Sequence, residues 1–265
     1  MIDSLPVSAR GVATQVIAGV REIFGVRLLG IYAYGSAVVG DFDPGVSDLD
    51  LTAVLTGEAT ELDLESLRNF HDQLAANDLG WEHRVEVQYI ARDALTTFRS
   101  QRNRMINISP GEPIHFIDTG IEWLANWYFI VDHGLVLFGL PTSHTFPAIS
   151  GGEFVSFARD HAGDWLARLD ELDGSQAQSY AILTNCRALY THRTGQQVSK
   201  IRAATWVSEE FPHWKDAVID AIAWRIRPQF HTPETASRAR LMIETIVAII
   251  ERERPYLAER FPVKD

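Results

Sequence analysis

The chain has 265 residues, of which 46% are hydrophobic, a net charge of −11 and a single cysteine, Cys186. This length suits two domains with real cores, whereas one cysteine excludes an internal disulfide and no apolar run reaches the ~20 residues of a membrane span. The acidic charge disfavours extended nucleic-acid binding and suits a cationic partner, although solubility alone explains it equally well. Because residues 1–6 also lack a secretory pattern, we expect a cytoplasmic protein.

The first half of the sequence mixes helical and strand patterns. Apolar residues at spacings of three and four predict helices over residues 9–24, 62–79 and 121–134. Short apolar or alternating runs predict strands over residues 28–33, 49–55 and 84–90. Residues 35–45 are predicted to form a turn-rich loop. Residues 100–119, which have no clean period and contain two prolines and a glycine, are interpreted as a long loop near a functional site.

The second half is helical throughout. Residues 139–152, with two prolines and two closing glycines, are interpreted as the domain boundary. Helices are predicted over residues 154–172, 180–192, 201–210 and 233–253. The sequence therefore predicts an α/β domain with a small mixed sheet over residues 1–147. An all-α helical bundle is predicted over residues 148–265.

A glycine and a serine come directly after the first predicted strand. Gly35 lacks a side chain that would keep backbone N–H groups away from a phosphate, and the Ser36 hydroxyl adds a further donor. Taken alone, such a dipeptide is usually just a turn, so its significance depends on the motifs of the next two strands.

Two carboxylates open the second predicted strand. Alternate side chains of a strand face the same side, so Asp48 and Asp50 are expected to point together while their leucine neighbours face the core. Two such carboxylates repel each other unless a cation lies between them, and Mg²⁺, which combines one or two carboxylates with substrate phosphates, meets that need. The same pattern also occurs on solvated strand faces and at helix caps.

A third acid lies in the third predicted strand. Glu86 and Gln88 share one face of that strand, and pairing with the strand of Asp50 would bring Glu86 near the two aspartates. Three acids around a triphosphate suit two-metal phosphoryl chemistry, or two metal ligands and a general base. A glutamate in an alternating strand is usually just the exposed side, but the order of the three features is more specific than any one of them.

This order resembles the signature of the nucleotidyltransferases related to DNA polymerase β. The second half of the chain extends the resemblance over most of the sequence. Residues 180–190 (YAILTNCRALY), 194–195, 199–200 and 203–206 are similar to the helical domain of the aminoglycoside adenylyltransferases of the streptomycin–spectinomycin type.

The resemblance implies a role for each candidate residue. ATP and two Mg²⁺ ions would bind the first domain, and Glu86 would be the base that deprotonates an acceptor hydroxyl. Arg187 and Lys200 would reach the nucleotide from the second domain across a cleft; without the resemblance they would be interpreted as surface charges on helices. The metal ligands would be Asp48 and Asp50, and the phosphate contacts Gly35, Ser36 and Ser47.

Two departures from the family pattern concern the acceptor. Family members that act on streptomycin place an acidic residue where this chain has Ala177, and they use a tryptophan after the base strand. This chain has no tryptophan between Trp81 and Trp123. Streptomycin is therefore disfavoured as acceptor, and the acceptor-binding residues stay undefined.

The function predicted from the sequence is transfer of AMP from ATP to a hydroxyl of a small, cationic acceptor such as spectinomycin, with release of pyrophosphate. The enzyme is expected to be a monomer, to bind no membrane, and to serve in antibiotic resistance. Two alternatives stay open. One is an enzyme of the same fold that acts on a protein, a tRNA or a metabolite, and the other is a catalytically silent nucleotide-binding module.

Overall fold

The computed structural model describes residues 2–109, 112–172, 174–226 and 233–253. Its contacts separate two compact units, with the division between Ile149 and Ser150. Each unit has its own hydrophobic core. No helix within the described ranges has the length and hydropathy required to cross a bilayer.

The first unit is a mixed sheet with helices. In chain order its elements are α1 (Val7–Phe24), β1 (Leu28–Tyr34), α2 (Ser36–Val39), β2 (Leu49–Leu55), α3 (Glu61–Asn77), β3 (Val85–Ala91), α4 (Arg92–Thr97), β4 (Asn103–Ile108), β5 (His115–Thr119), α5 (Leu124–His133), β6 (Leu135–Gly139) and α6 (Thr142–Thr145).

The six strands are ordered β5-β4-β3-β2-β1-β6. Only β2 and β3 pair in parallel, and the other four pairings are antiparallel. A parallel pair needs a long crossover connection, which α3 supplies. The strands of the two predicted acidic motifs are thus neighbours at the centre of the sheet.

One face of the sheet is apolar and packs on α1 and α3. Leu49, Leu51, Val85 and Val87 lie on this face and are buried, together with Val16 and Val20 of α1 and Leu67 of α3. Because side chains alternate along a strand, the residues between them must face the other side. Burial of the leucines and valines therefore determines which way Asp50 and Glu86 point.

The prediction that residues 100–119 form a long loop is wrong, since they contain β4 and β5. Met105, Ile106, Asn107 and Ile108 are all buried, so this part of β4 is buried on both faces and shows no alternation of buried and exposed residues. The loop prediction for residues 35–45 is also corrected, because α2 occupies four of them. Helix α4 and strand β6, with six and five residues, are too short to give a periodic signal and were not predicted.

The second unit is a helical bundle. Its helices are α7 (Gly151–Ala167), α8 (Ser175–Thr194), α9 (Lys200–Glu210), α10 (Lys215–Ile226) and α11 (Pro233–Arg252). Helix α8 contacts the other four, and most of its side chains are buried. Cys186 lies inside this helix, where burial raises the pKa of its thiol.

Helix α10 was not predicted from the sequence. Its buried face includes Ala217 and Ala221 beside Val218 and Trp224. Alanine contributes little hydrophobic contrast, so the helical period is weak in this segment. The other four helices of the unit were predicted, with ends that differ by at most five residues.

Candidate active site

Two of the three predicted acids, Asp50 and Glu86, lie on one row of residues that crosses three strands. Tyr34 of β1 is the Cα partner of Asp50 of β2, and Asp50 is the partner of Glu86 of β3. Both carboxylates are partly exposed, although nearly every residue after them in their strands is buried. The register of the parallel pair therefore places two carboxylates side by side at the edge of the core, where a solute can reach them.

The Tyr34 hydroxyl is sensitive to both of these carboxylates. Its pKa is raised well above the usual value, first by burial and then by the negative charges of Glu86 and Asp50. Two separate carboxylates thus act on one buried hydroxyl. The two neighbouring carboxylates make this corner of the sheet an environment suited to a cation.

The position of the Asp50 side chain leaves no room for a side chain at residue 35. The backbone of Gly35 has φ 71° and ψ −154°, a conformation that side-chain-bearing residues rarely adopt. A Cβ atom at this position would also lie 2.0 Å from Asp50 Oδ2. The glycine lets the strand end turn directly beside the carboxylate, and Ser36 comes next as the partly exposed first residue of α2.

Ser47 and Asp48 form the entry to β2. Ser47 is fully buried; its hydroxyl accepts a hydrogen bond of 2.9 Å from the Asp43 N–H, and its carbonyl accepts one of 2.6 Å from Arg84 Nη2. These bonds fix the loop that delivers Asp48, which is partly exposed, to the strand. The structure therefore gives Ser47 a role in holding the loop, beside its predicted contact with phosphate.

A second polar row lies behind the carboxylates. Thr52 of β2 is the Cα partner of Gln88 of β3, and Gln88 is the partner of Asn107 of β4. All three are buried, and Gln88 hydrogen-bonds to Thr52, Tyr34 and Glu86. The sequence showed that Gln88 shares a face with Glu86, but this network depends on cross-strand register, which one sequence does not reveal.

The donor set fits magnesium bound together with a phosphate ligand. Asp50 of β2 and Asp48, just before this strand, are both partly exposed and offer hard carboxylate oxygens. Within the ranges that the structure describes, no three His, Cys, Asp or Glu side chains are grouped to hold a metal ion by themselves. Magnesium characteristically completes its coordination with substrate phosphates and water, so a site with two carboxylates is sufficient for it.

The predicted basic residues of the second unit share one neighbourhood. The pKa of His161 is lowered, first by burial, which Asp164 opposes, and then by the positive charges of Arg187, Arg168 and Lys200. The charges of Arg187 on α8 and Lys200 at the start of α9 therefore both reach His161 on α7. Such a concentration of cations suits a phosphate-bearing ligand.

Aromatic side chains accompany these cations. Lys200 Nζ lies 3.7 Å from the centroid of the Tyr180 ring, and Tyr180 is 53% exposed. The Tyr180 and Trp165 rings lie 5.9 Å apart, and the Trp165 ring also contacts His161. Tyr180 and His161 were not predicted as site residues. The spacing of Tyr180 and Arg187, two helical turns apart on α8, was the available signal.

Comparison with known proteins identifies the class of fold. The chain is similar to the structure of spectinomycin adenyltransferase AAD(9) from Enterococcus faecialis, solved with ATP and spectinomycin. The two sequences are 18% identical, and the match has a TM-score of 0.73 and covers 91% of this chain and 99% of that one. The fold predicted from the sequence is confirmed: a mixed sheet followed by a helical region, as in that nucleotidyltransferase.

A family model matches the second unit. Residues 144–247 match the model of the aminoglycoside adenylyltransferase C-terminal domain. The predicted resemblance to the aminoglycoside adenylyltransferases is thus confirmed, since these residues are similar to the C-terminal domain of that family. No curated protein sequence matches the chain.

Proposed function

We propose that the protein is an ATP-dependent adenylyltransferase that transfers AMP to a hydroxyl of a small cationic aminocyclitol or aminoglycoside and releases pyrophosphate. The observation that carries this proposal is the register that pairs Asp50 with Glu86 beside Gly35. The C-terminal domain family and the fold of AAD(9) support the choice of nucleotide and acceptor class.

Each residue of the first unit has a defined task in this proposal. Glu86 accepts the proton of the acceptor hydroxyl, and the resulting alkoxide attacks the α-phosphorus of ATP in line with the departing pyrophosphate. Asp48 and Asp50 would hold two Mg²⁺ ions, which would offset negative charge on the phosphate oxygens. Gly35 and Ser36 lie where their N–H and hydroxyl groups can contact phosphates, and Ser47 supports the loop or contacts a phosphate.

The second unit contributes cations. Arg187 and Lys200 are proposed to bind the nucleotide phosphates, since their charges already act together on His161. The acceptor is proposed to be cationic because the chain carries a net charge of −11 and its first unit concentrates carboxylates at the site. Spectinomycin is the first candidate, since AAD(9) was solved with it.

The experiment is pyrophosphate release from ATP and Mg²⁺, with spectinomycin, streptomycin and other aminosugars offered in turn. Turnover with one acceptor should fall about 10²–10⁴-fold in Glu86→Gln, because a general base contributes that much. Asp50→Asn should be at least as impaired, whereas Glu82→Gln, at an exposed glutamate just before β3, should keep wild-type turnover. ATP binding without turnover on any acceptor would refute the proposal in favour of a silent module or a different acceptor class.

A further inference from the structure

Gln88 lies directly behind Glu86 on the same face of β3. Its side chain is 1% exposed, so it has no access to solvent and must find its hydrogen-bond partners inside the protein. Four polar side chains surround it, from β1, β2, β3 and β4: Tyr34, Thr52, Glu86 and Asn107.

Two hydroxyl groups determine which way the Gln88 amide points. Tyr34 Oη donates to Gln88 Oε1 at 2.9 Å, and Thr52 Oγ1 donates to the same atom at 3.1 Å. The Tyr34 hydroxyl in turn accepts from Asn126 Nδ2 at 3.4 Å, which leaves its own proton for Gln88. An atom that receives two O–H donors is the carbonyl oxygen, so the amide nitrogen faces the opposite way.

The amide nitrogen faces the carboxylate of the base. Gln88 Nε2 donates to Glu86 Oε1 at 2.9 Å and to Asn107 Oδ1 at 3.4 Å, so both of its protons are used. A glutamate side chain has three rotatable bonds, and a partly exposed one samples several rotamers. A buried donor with a single orientation restricts Glu86 to a rotamer that keeps one oxygen against Gln88.

We propose that Gln88 is a positioning residue, whose amide holds one oxygen of Glu86 and so presents the other to the acceptor hydroxyl. The inference rests on the proposed function, because it concerns the base of that reaction. The acceptor proton passes to the other carboxylate oxygen of Glu86, and Gln88 exchanges no proton. Tyr34 and Thr52 act one step further away, by fixing the amide.

Kinetics separate positioning from substrate binding. Gln88→Met keeps the length of the side chain and removes its hydrogen bonds; we expect kcat to fall about 10- to 100-fold, the cost of misaligning a reacting group, with the KM for ATP and acceptor unchanged. Thr52→Val should lower kcat less, because Tyr34 still holds the amide. In the Gln88→Met background, Thr52→Val should not lower kcat further, because the amide oxygen to which Thr52 donates is absent.

Thr119→Val is the matched control for Thr52→Val. Thr119 is a fully buried threonine of the same sheet, and its hydroxyl has no hydrogen-bond partner among the described residues. The Thr119→Val variant should therefore leave kcat unchanged. Wild-type kcat in Gln88→Met would overturn the proposal, as would an undiminished effect of Thr52→Val in the Gln88→Met background.

A spectroscopic test needs no acceptor. The side-chain amide resonances of Gln88 in a ¹⁵N–¹H spectrum can be assigned by their loss in Gln88→Met. Their chemical shifts should change in Glu86→Gln and stay the same in Glu82→Gln. Unchanged chemical shifts of Gln88 in Glu86→Gln would overturn the proposal. If the wild-type protein turned over no acceptor while these shifts were seen, the proposed function would fail and the hydrogen bond would stand.

Discussion

Gly35 lies where the end of β1 meets the Asp50 carboxylate. Its backbone conformation disfavours a side chain, and a Cβ atom placed on it would lie only 2.0 Å from Asp50 Oδ2. The sequence suggested this glycine for its access to phosphate. The structure adds that the orientation of Asp50 itself depends on it.

Gly35→Ala is therefore expected to damage both folding and activity. Strain at this backbone position costs about 1–3 kcal/mol of unfolding free energy, and displacement of Asp50 should lower kcat at least ~100-fold. Gly40→Ala is the control, because Gly40 also has a positive φ, of 82°, but nothing lies within 4 Å of its Cβ position. Denaturant unfolding and pyrophosphate release measure the two effects. Equal loss of activity in both variants would contradict the role given to Gly35.

At this scale, alternation along a strand predicts much of the site. Alternation predicted that Asp48 and Asp50 share one face of their strand and that Glu86 and Gln88 share one face of theirs. Pairing of the two strands was expected to bring Glu86 near the aspartates, and the structure pairs Glu86 with Asp50. The partners of Gln88 could not be predicted, since Tyr34, Thr52 and Asn107 come from three other strands. Cross-strand register depends on tertiary packing, which one sequence does not specify.

Helix α3 and strand β3 meet at a buried histidine. His71 is 8% exposed, and its Nε2 lies 2.9 Å from the Tyr89 hydroxyl. Burial lowers the pKa of His71 from 6.5 to about 4. The unfolded chain therefore binds a proton at this residue between pH 6.5 and about pH 4 while the folded chain does not, so the contribution of His71 to stability is lost as pH falls through that window.

His71→Gln should reduce the pH dependence of stability. Between about pH 7.5 and about pH 5 the wild-type protein should lose ~2 kcal/mol more unfolding free energy than this variant, from the linkage between the two pKa values. Denaturant unfolding at the two pH values measures the difference. His83→Gln, at a side chain that is 71% exposed, should behave as the wild type. The same pH dependence in wild type and His71→Gln would contradict the account.

Among the elements, those with a clear period were predicted and those without were missed. Helices α1, α3 and α11 have apolar stripes, and β1, β2 and β3 have apolar runs bounded by turn residues. Strand β4 was interpreted as loop because it is buried on both faces. The prolines and glycine of this region suggested an irregular segment; Pro113 lies between β4 and β5, and Pro110 and Gly111 lie outside the described residues.

Each of the two units has its own concentration of charged residues. The first concentrates carboxylates around Tyr34, and the second concentrates cations around His161. An enzyme that binds a triphosphate and a cationic acceptor needs both signs of charge. The resemblance in the sequence predicted Arg187 and Lys200. His161 became recognisable as their neighbour only from the packing of the helices.

Arg187→Gln and Lys200→Gln should each weaken ATP binding. Loss of a charge-assisted contact to phosphate is expected to raise the Kd about tenfold or more. Calorimetric titration with ATP and Mg²⁺ measures the change, and Arg202→Gln and Lys215→Gln, at exposed positions of α9 and α10, are the controls. Unchanged affinity for ATP in both test variants would contradict the proposal that Arg187 and Lys200 bind the nucleotide.

The most direct test of the central claim is the mass of the acceptor after reaction. The protein is incubated with ATP, Mg²⁺ and spectinomycin, and the acceptor is analysed by mass spectrometry, with Glu86→Gln in parallel. The account predicts an acceptor that is heavier by one AMP group in the wild-type reaction and unmodified in the variant. An unmodified acceptor in both reactions, for spectinomycin and for every other aminosugar offered, would contradict the account.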